Sequence, residues 1–151
     1  MNDLHTPPAR ERGKTWYCGP FAFAAITGNS FVESRARLNR ARLNRANDRP
    51  ENRGIRGCSD WTLTCALNSS GYHPSLFYRT PSGGVDRKNL NQWLKTLSRD
   101  DDSIYLVLLT GHWIVVKGRS VMIDNHTSRP VPVFMGPWQR KTVKKVYVIR
   151  N

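Results

Sequence analysis

IYLVLLTGHWIVVKGRSVMIDN, residues 104–125, decides the fold of this chain. Residues 104–109, 112–117 and 120–123 are apolar, β-branched runs of strand length, separated only by Thr110-Gly111 and Gly118-Arg119. Connections this short join antiparallel neighbours, so the stretch predicts the centre of an antiparallel sheet. Toward the C-terminus, 131–134 and 143–149 continue the strand pattern. The last of these carries Lys144 and Lys145, which read either as part of a basic face or as charges guarding an edge strand.

Toward the N-terminus the pattern changes from strands to helices. Leu90, Trp93, Leu94 and Leu97 fall at i, i+3, i+4 and i+7, one face of a helix for which Asp86 is the expected cap. YHPSLFY, from Tyr72, reads as a short strand and TPSGG as a turn. Before it, Ser59 caps a helix that has Asp60 in its first turn and stops at Gly71. Cys65 lies on the apolar side of that helix and is expected in the core. Further upstream, Ser30 and Glu33 form an S-x-x-E capping box at the start of another helix. CGPFAFAAITG, from Cys18 to Gly28, is a helix with almost no polar face, which predicts burial, with Pro20 in its first turn and Gly28 as its left-handed end. Residues 1–14, with Pro7 and Pro8, are expected to be a mobile, basic arm, and 15–151 a single domain. Helices first and an antiparallel sheet second give the α+β class, with the helices packed on one side of the sheet.

Composition narrows the function classes. The chain has 151 residues, 38% hydrophobic, enough for a core and too apolar for a disordered tail. No apolar run reaches the roughly 20 residues that a membrane-spanning helix needs. The polar start, MNDLHTPPARERGK, has no apolar segment of the secretory kind, so a cytosolic beginning is expected. Three cysteines, Cys18, Cys58 and Cys65, make a poor disulfide framework, and none has a histidine at zinc-ligand spacing. A formal charge of +13, from 24 basic and 11 acidic residues, favours anionic partners such as nucleic acid. The tandem ARLNR-ARLNR concentrates Arg35, Arg37, Arg40, Arg42 and Arg45 in one helix. Five residues advance about 500° around a helix, so the repeats build no shared apolar stripe. The helix is either a solvated element with a short Leu38 and Ala41 contact, or a polyanion-binding face.

Cys18 and His112 are the candidate chemistry. A thiolate at a helix N-terminus is stabilised by the free N–H groups and the helix dipole, and a neighbouring imidazole completes an activated nucleophile. His112 follows Gly111 and opens a strand. The third member is open. A two-residue hairpin loop at Gly118-Arg119 places Asn125 opposite His112, on the same sheet face. A three-residue loop or a bulge reverses the parity and selects Asp124. Either side chain would accept the Nδ1–H bond that orients the imidazole. His126 is expected to be a bystander, and Tyr17 and Trp113 either wall the site or belong to the core.

Three segments carry a family resemblance. WYCGPFAFAAITG resembles the nucleophile segment of papain-like cysteine peptidases, in particular the bacteriocin-processing type. GIRGCSDWTLTCALNSSGY resembles the helix that follows, and GHWIVVKG with SVMIDN resembles the histidine strand and the strand ending in an orienting Asp or Asn. The order matches over Trp16 to Asn125. WYCGP, GHWIVV and DNHT also resemble small proteins of tailed bacteriophages. The resemblance implies a papain-like α+β fold and a cysteine peptidase or related thiol acyl-enzyme with Cys18 as nucleophile, His112 as base and Asp124 or Asn125 behind it. The implied partner is a peptide or protein substrate, no metal or organic cofactor is required, and the implied location is the infected bacterial cytoplasm or the virion. The alternative is a non-catalytic basic protein of the virion, or one associated with nucleic acid, that keeps the fold. One departure stands out. The family places a Gln shortly before the nucleophile as an oxyanion donor, and none precedes Cys18. The Cys18 N–H would be one donor, and Thr15, Lys14, Arg12 or another group the second.

Overall fold

The computed structural model describes residues 3–7, 11, 16–42 and 58–150. Four α-helices are present there: α1 (Cys18–Thr27), α2 (Phe31–Arg42), α3 (Asp60–Ser69) and α4 (Leu90–Leu94). Six strands accompany them: β1 (His73–Arg79), β2 (Ile104–Leu109), β3 (His112–Lys117), β4 (Val121–Ile123), β5 (Val131–Pro132) and β6 (Val143–Arg150). All pair antiparallel, in the order β1-β6-β2-β3-β4-β5. The α+β arrangement expected from the sequence, with helices preceding an antiparallel sheet, is therefore observed.

Local chemistry sets the helix ends. Gly28 closes α1 at φ 78°, its N–H donating to the Ala24 carbonyl. The Ser30 hydroxyl accepts from Glu33 N–H at 3.2 Å, which is half of the expected box. Ser59 caps α3 through Thr62 N–H. Asp86 does not cap α4. Asn89 does, in a reciprocal box with Gln92. Asn89 accepts from the N3 amide as Asp would, and Gln92 at N3 completes the second bond, which no residue three places after Asp86 does.

The helices do not share one side of the sheet. α1, α2 and α3 cover one face, burying Phe21, Phe23, Leu38 and Leu63 against Leu106, Trp113, Val115 and Ile123. α4 lies on the other, where Leu90, Trp93, Leu94 and Leu97 meet Tyr105, Val107, Ile114 and Val116. Burial on both faces explains why β2 and β3 read as continuous apolar runs rather than alternating ones.

Three more expectations change. β6 is an interior strand, because β1 pairs along its outer side, so its lysines do not guard an edge. Lys145 instead pairs with Asp60 of α3, which also accepts from the Tyr147 hydroxyl. Residues 131–134 form only a two-residue strand, followed by a 3₁₀ turn at Val133–Met135. The described part of the 1–14 segment is held rather than free. His5 N–H donates to the Ala25 carbonyl at 2.9 Å, Leu4 packs on the core, Asp3 pairs with Lys117, and the Glu11 carboxylate accepts from Phe31 N–H. No helix among the described residues is long and apolar enough to cross a membrane.

Candidate active site

Cys18 is the first residue of α1, preceded by an extended Tyr17 that supplies no side-chain cap. The first intrahelical bond runs from Phe21 N–H to the Tyr17 carbonyl, so the N–H groups of Cys18 and Gly19 have no helical partner. His112 opens β3. β4 pairs only with Val115–Lys117, so the beginning of β3 has no ladder neighbour on that side. The backbone N–H of Trp113 is thereby left to hydrogen-bond the Cys18 sulfur, as does that of Gly19. The His112 imidazole faces the same sulfur, close enough for each to shift the other's pKa.

The register of the β3–β4 hairpin decides which of Asp124 and Asn125 shares a face with His112. Lys117 pairs with Val121, so the loop has three residues, Gly118 to Ser120. Parity then puts Asp124, not Asn125, on the His112 face. The Asp124 carboxylate lies 2.8 Å from His112 Nε2. The imidazole is thus engaged at Nε2, not at Nδ1 as expected, and Nδ1 is the nitrogen that remains for Cys18. Asn125 turns away from the imidazole and donates from Nδ2 to the Trp16 carbonyl at 3.1 Å, tying β4 to the segment that enters α1.

Asp124 is buried and accepts four bonds. His126 N–H and Thr127 N–H reach Oδ1 at 3.0 and 2.8 Å, while the Trp138 indole N–H and His112 meet at Oδ2. Burial opposes its charge, but these donors prevail and hold its carboxyl below the usual range. Desolvation also pulls His112 down, yet Asp124 and Cys18 win and push it up to about 9. For Cys18, burial raises the thiol, and His112 together with the Trp113 and Gly19 N–H groups more than reverses this, so the net shift is downward. The three directions agree on one state, a thiolate–imidazolium pair backed by a carboxylate.

Trp138 went unnoticed in the sequence. It covers His112 with ring centroids 4.4 Å apart at 37°, besides bonding Asp124. It sits in an irregular segment with no periodicity, so no spacing linked it to His112. His126 is exposed, with its ring centroid 5.3 Å from that of His112, and contributes a backbone N–H rather than its imidazole to the site. Trp113 is core, and its indole donates to the Cys58 carbonyl. Cys58 packs beside α1, where a Cβ on Gly19 would come within 2.5 Å of its own. Burial first, and the neighbouring Cys18 charge second, push its thiol up to about 12, so Cys58 is no second nucleophile. Cys65 is half-buried rather than in the core.

The arginines of α2 do not make one face. Arg37 pairs with Glu33, Arg35 is half-buried with its guanidinium 5.3 Å from the Phe31 ring centre, Arg40 and Arg42 are exposed, and Arg45 lies outside the described residues. Arg12, Lys14 and Thr15, the oxyanion candidates, also lie outside them. No family model, curated protein or solved structure matches this chain.

Proposed function

We propose that this protein is a papain-like cysteine peptidase or a closely related thiol acyl-enzyme that cleaves an amide bond. The reading rests on one observation, the juxtaposition of Cys18, His112 and Asp124 at the N-terminus of a buried helix, with Asp124 2.8 Å from the imidazole and the thiol and imidazole shifting each other's pKa in opposite directions. The Cys18 thiolate attacks the carbonyl carbon of the substrate amide, forming a C–S bond. The Cys18 N–H, without a helical partner, is one donor for the developing oxyanion. The His112 imidazolium gives its proton to the departing nitrogen as the C–N bond breaks, leaving a thioester and a neutral imidazole. His112 then takes a proton from water, the resulting hydroxide displaces the sulfur, and the acid product leaves with the thiolate–imidazolium pair restored. Asp124 orients the ring and stabilises its charge throughout.

Native-state alkylation by iodoacetamide, read residue by residue by mass spectrometry, tests this. Cys18 should react at pH values well below the ordinary thiol pKa of about 8.5, and ahead of Cys58 and Cys65. His112→Ala should abolish that advantage. A Cys18 that reacts no faster than Cys65, or is indifferent to His112, would overturn the proposal. With a substrate in hand, Cys18→Ala should lower kcat/KM by about 10³-fold or more.

A further inference from the structure

A cleft of about 780 Å³ opens between α4, the β3–β4 loop and the segment after β5, and neither Cys18, His112 nor Asp124 lines it. It is lined by Lys95, Arg119 and Arg140, with Asn91, Gln139 and Phe134. No carboxylate contributes to it. Lys95 and Arg140 are exposed and, among the described residues, form no ion pair. Three cations line this concavity without a carboxylate among its lining residues, which favours an anionic occupant.

The walls are built rather than loose. Arg119 donates to the Leu97 carbonyl at 3.4 Å, and Gln139 Nε2 to the Val133 carbonyl at 3.0 Å. The segment that carries Phe134 and Arg140 is sewn to α4 by backbone bonds from Asn91 to Gln139 and from Leu90 to Lys141. Phe134, 77% exposed, presents its ring at the cleft. Cations for phosphate, an exposed aromatic face for a base, and amides for its edge are the three elements of nucleotide recognition in single strands.

We propose that this cleft binds the phosphate and base of a nucleotide, free or within a single strand, through Lys95, Arg119, Arg140 and Phe134. The site is independent of the cysteine chemistry and of the arginines on α2.

Fluorescence anisotropy of the full chain with a labelled oligothymidylate of about eight nucleotides tests it. Lys95→Ala/Arg140→Ala should weaken binding by about tenfold or more and reduce the slope of log K against log salt by about 1.4. Phe134→Ala should weaken binding while leaving that slope unchanged. Arg40→Ala/Arg42→Ala, on α2, should leave binding as it is. Displacement of the strand by thymidine monophosphate assigns the site to a free nucleotide, and displacement only by an unlabelled strand assigns it to a strand. The proposal falls if no binding is seen, if the cleft variants bind like the parent, or if the α2 variant carries the loss. It falls equally if polyglutamate or inorganic pyrophosphate competes as well as the nucleotide, because the cleft would then recognise charge alone.

Discussion

At the scale of single residues the chain concentrates its unusual chemistry on one imidazole. His112 bonds Asp124 at one nitrogen and faces Cys18, under the indole of Trp138. Its acidity is therefore directly measurable without a substrate. In an NMR titration His112 should lose its proton near pH 9, far above the ordinary 6.5. Asp124→Asn removes the carboxylate charge and should bring that midpoint down markedly, with a loss of turnover of up to about 10⁴-fold where activity can be assayed. A midpoint that Asp124→Asn leaves in place would show that the carboxylate is not what holds the proton. Cys18 was recognisable in the sequence because it stands immediately before an apolar helix opened by Gly-Pro. Trp138 was not, since a loop residue reaches its partner only through the path of the whole chain.

At the scale of elements, the hairpin β3–β4 decides the site. A loop of three residues rather than two turns Asp124 toward His112 and Asn125 toward Trp16. Gly118 is the hinge of that choice. It lies at φ 58° with its N–H bonded to the Ser103 carbonyl, and a Cβ there would overlap the carbonyl oxygen of Asp101. Gly118→Ala should lower stability by about 2 kcal/mol or more, from backbone strain and overlap together. Gly111→Ala is the control, at φ 71° in open space, and should cost only about 1 kcal/mol. Equal melting temperatures for the two variants would remove the close approach at Gly118 from the argument. Sequence patterning located both strands, yet it left the loop length open, because Gly118-Arg119 suits a two-residue turn as well as the longer one found.

For the whole molecule, the site couples folding to pH in a way whose sign follows from the two shifts. His112, raised from 6.5 to about 9, adds stability that is complete below 6.5 and lost as pH rises through about 9. Cys18, lowered from 9.0, adds stability that is complete above 9.0 and lost as pH falls through its folded value. Between 6.5 and about 9 the histidine contribution falls with rising pH while the cysteine contribution rises, so the two oppose each other. Cys18→Ser exposes the histidine limb alone. Its melting temperature should fall, relative to the parent, as pH rises above 6.5, over a window narrowed by the loss of the Cys18 share of the His112 shift, and the fall should disappear in Cys18→Ser/Asp124→Asn. A parent and a Cys18→Ser variant with parallel pH profiles would refute the ion pair.

The sequence by itself determined what depends on neighbours a few residues apart. It set the helix at Cys18 with its Gly28 end, the amphipathic stripe from Leu90 to Leu97, and the β2 and β3 strands, since propensity, capping and periodicity act over one or two turns. From those elements it also placed a thiol at a helix start and an imidazole at a strand start. Tertiary structure alone decided the rest. It inserted β6 between β1 and β2, set α4 on the face opposite α1, α2 and α3, placed Trp138 over His112, and gathered Lys95, Arg119 and Arg140 around one cleft. These are contacts between segments tens of residues apart. They arise from burying both faces of a sheet at once, a requirement of the folded whole that no local pattern contains.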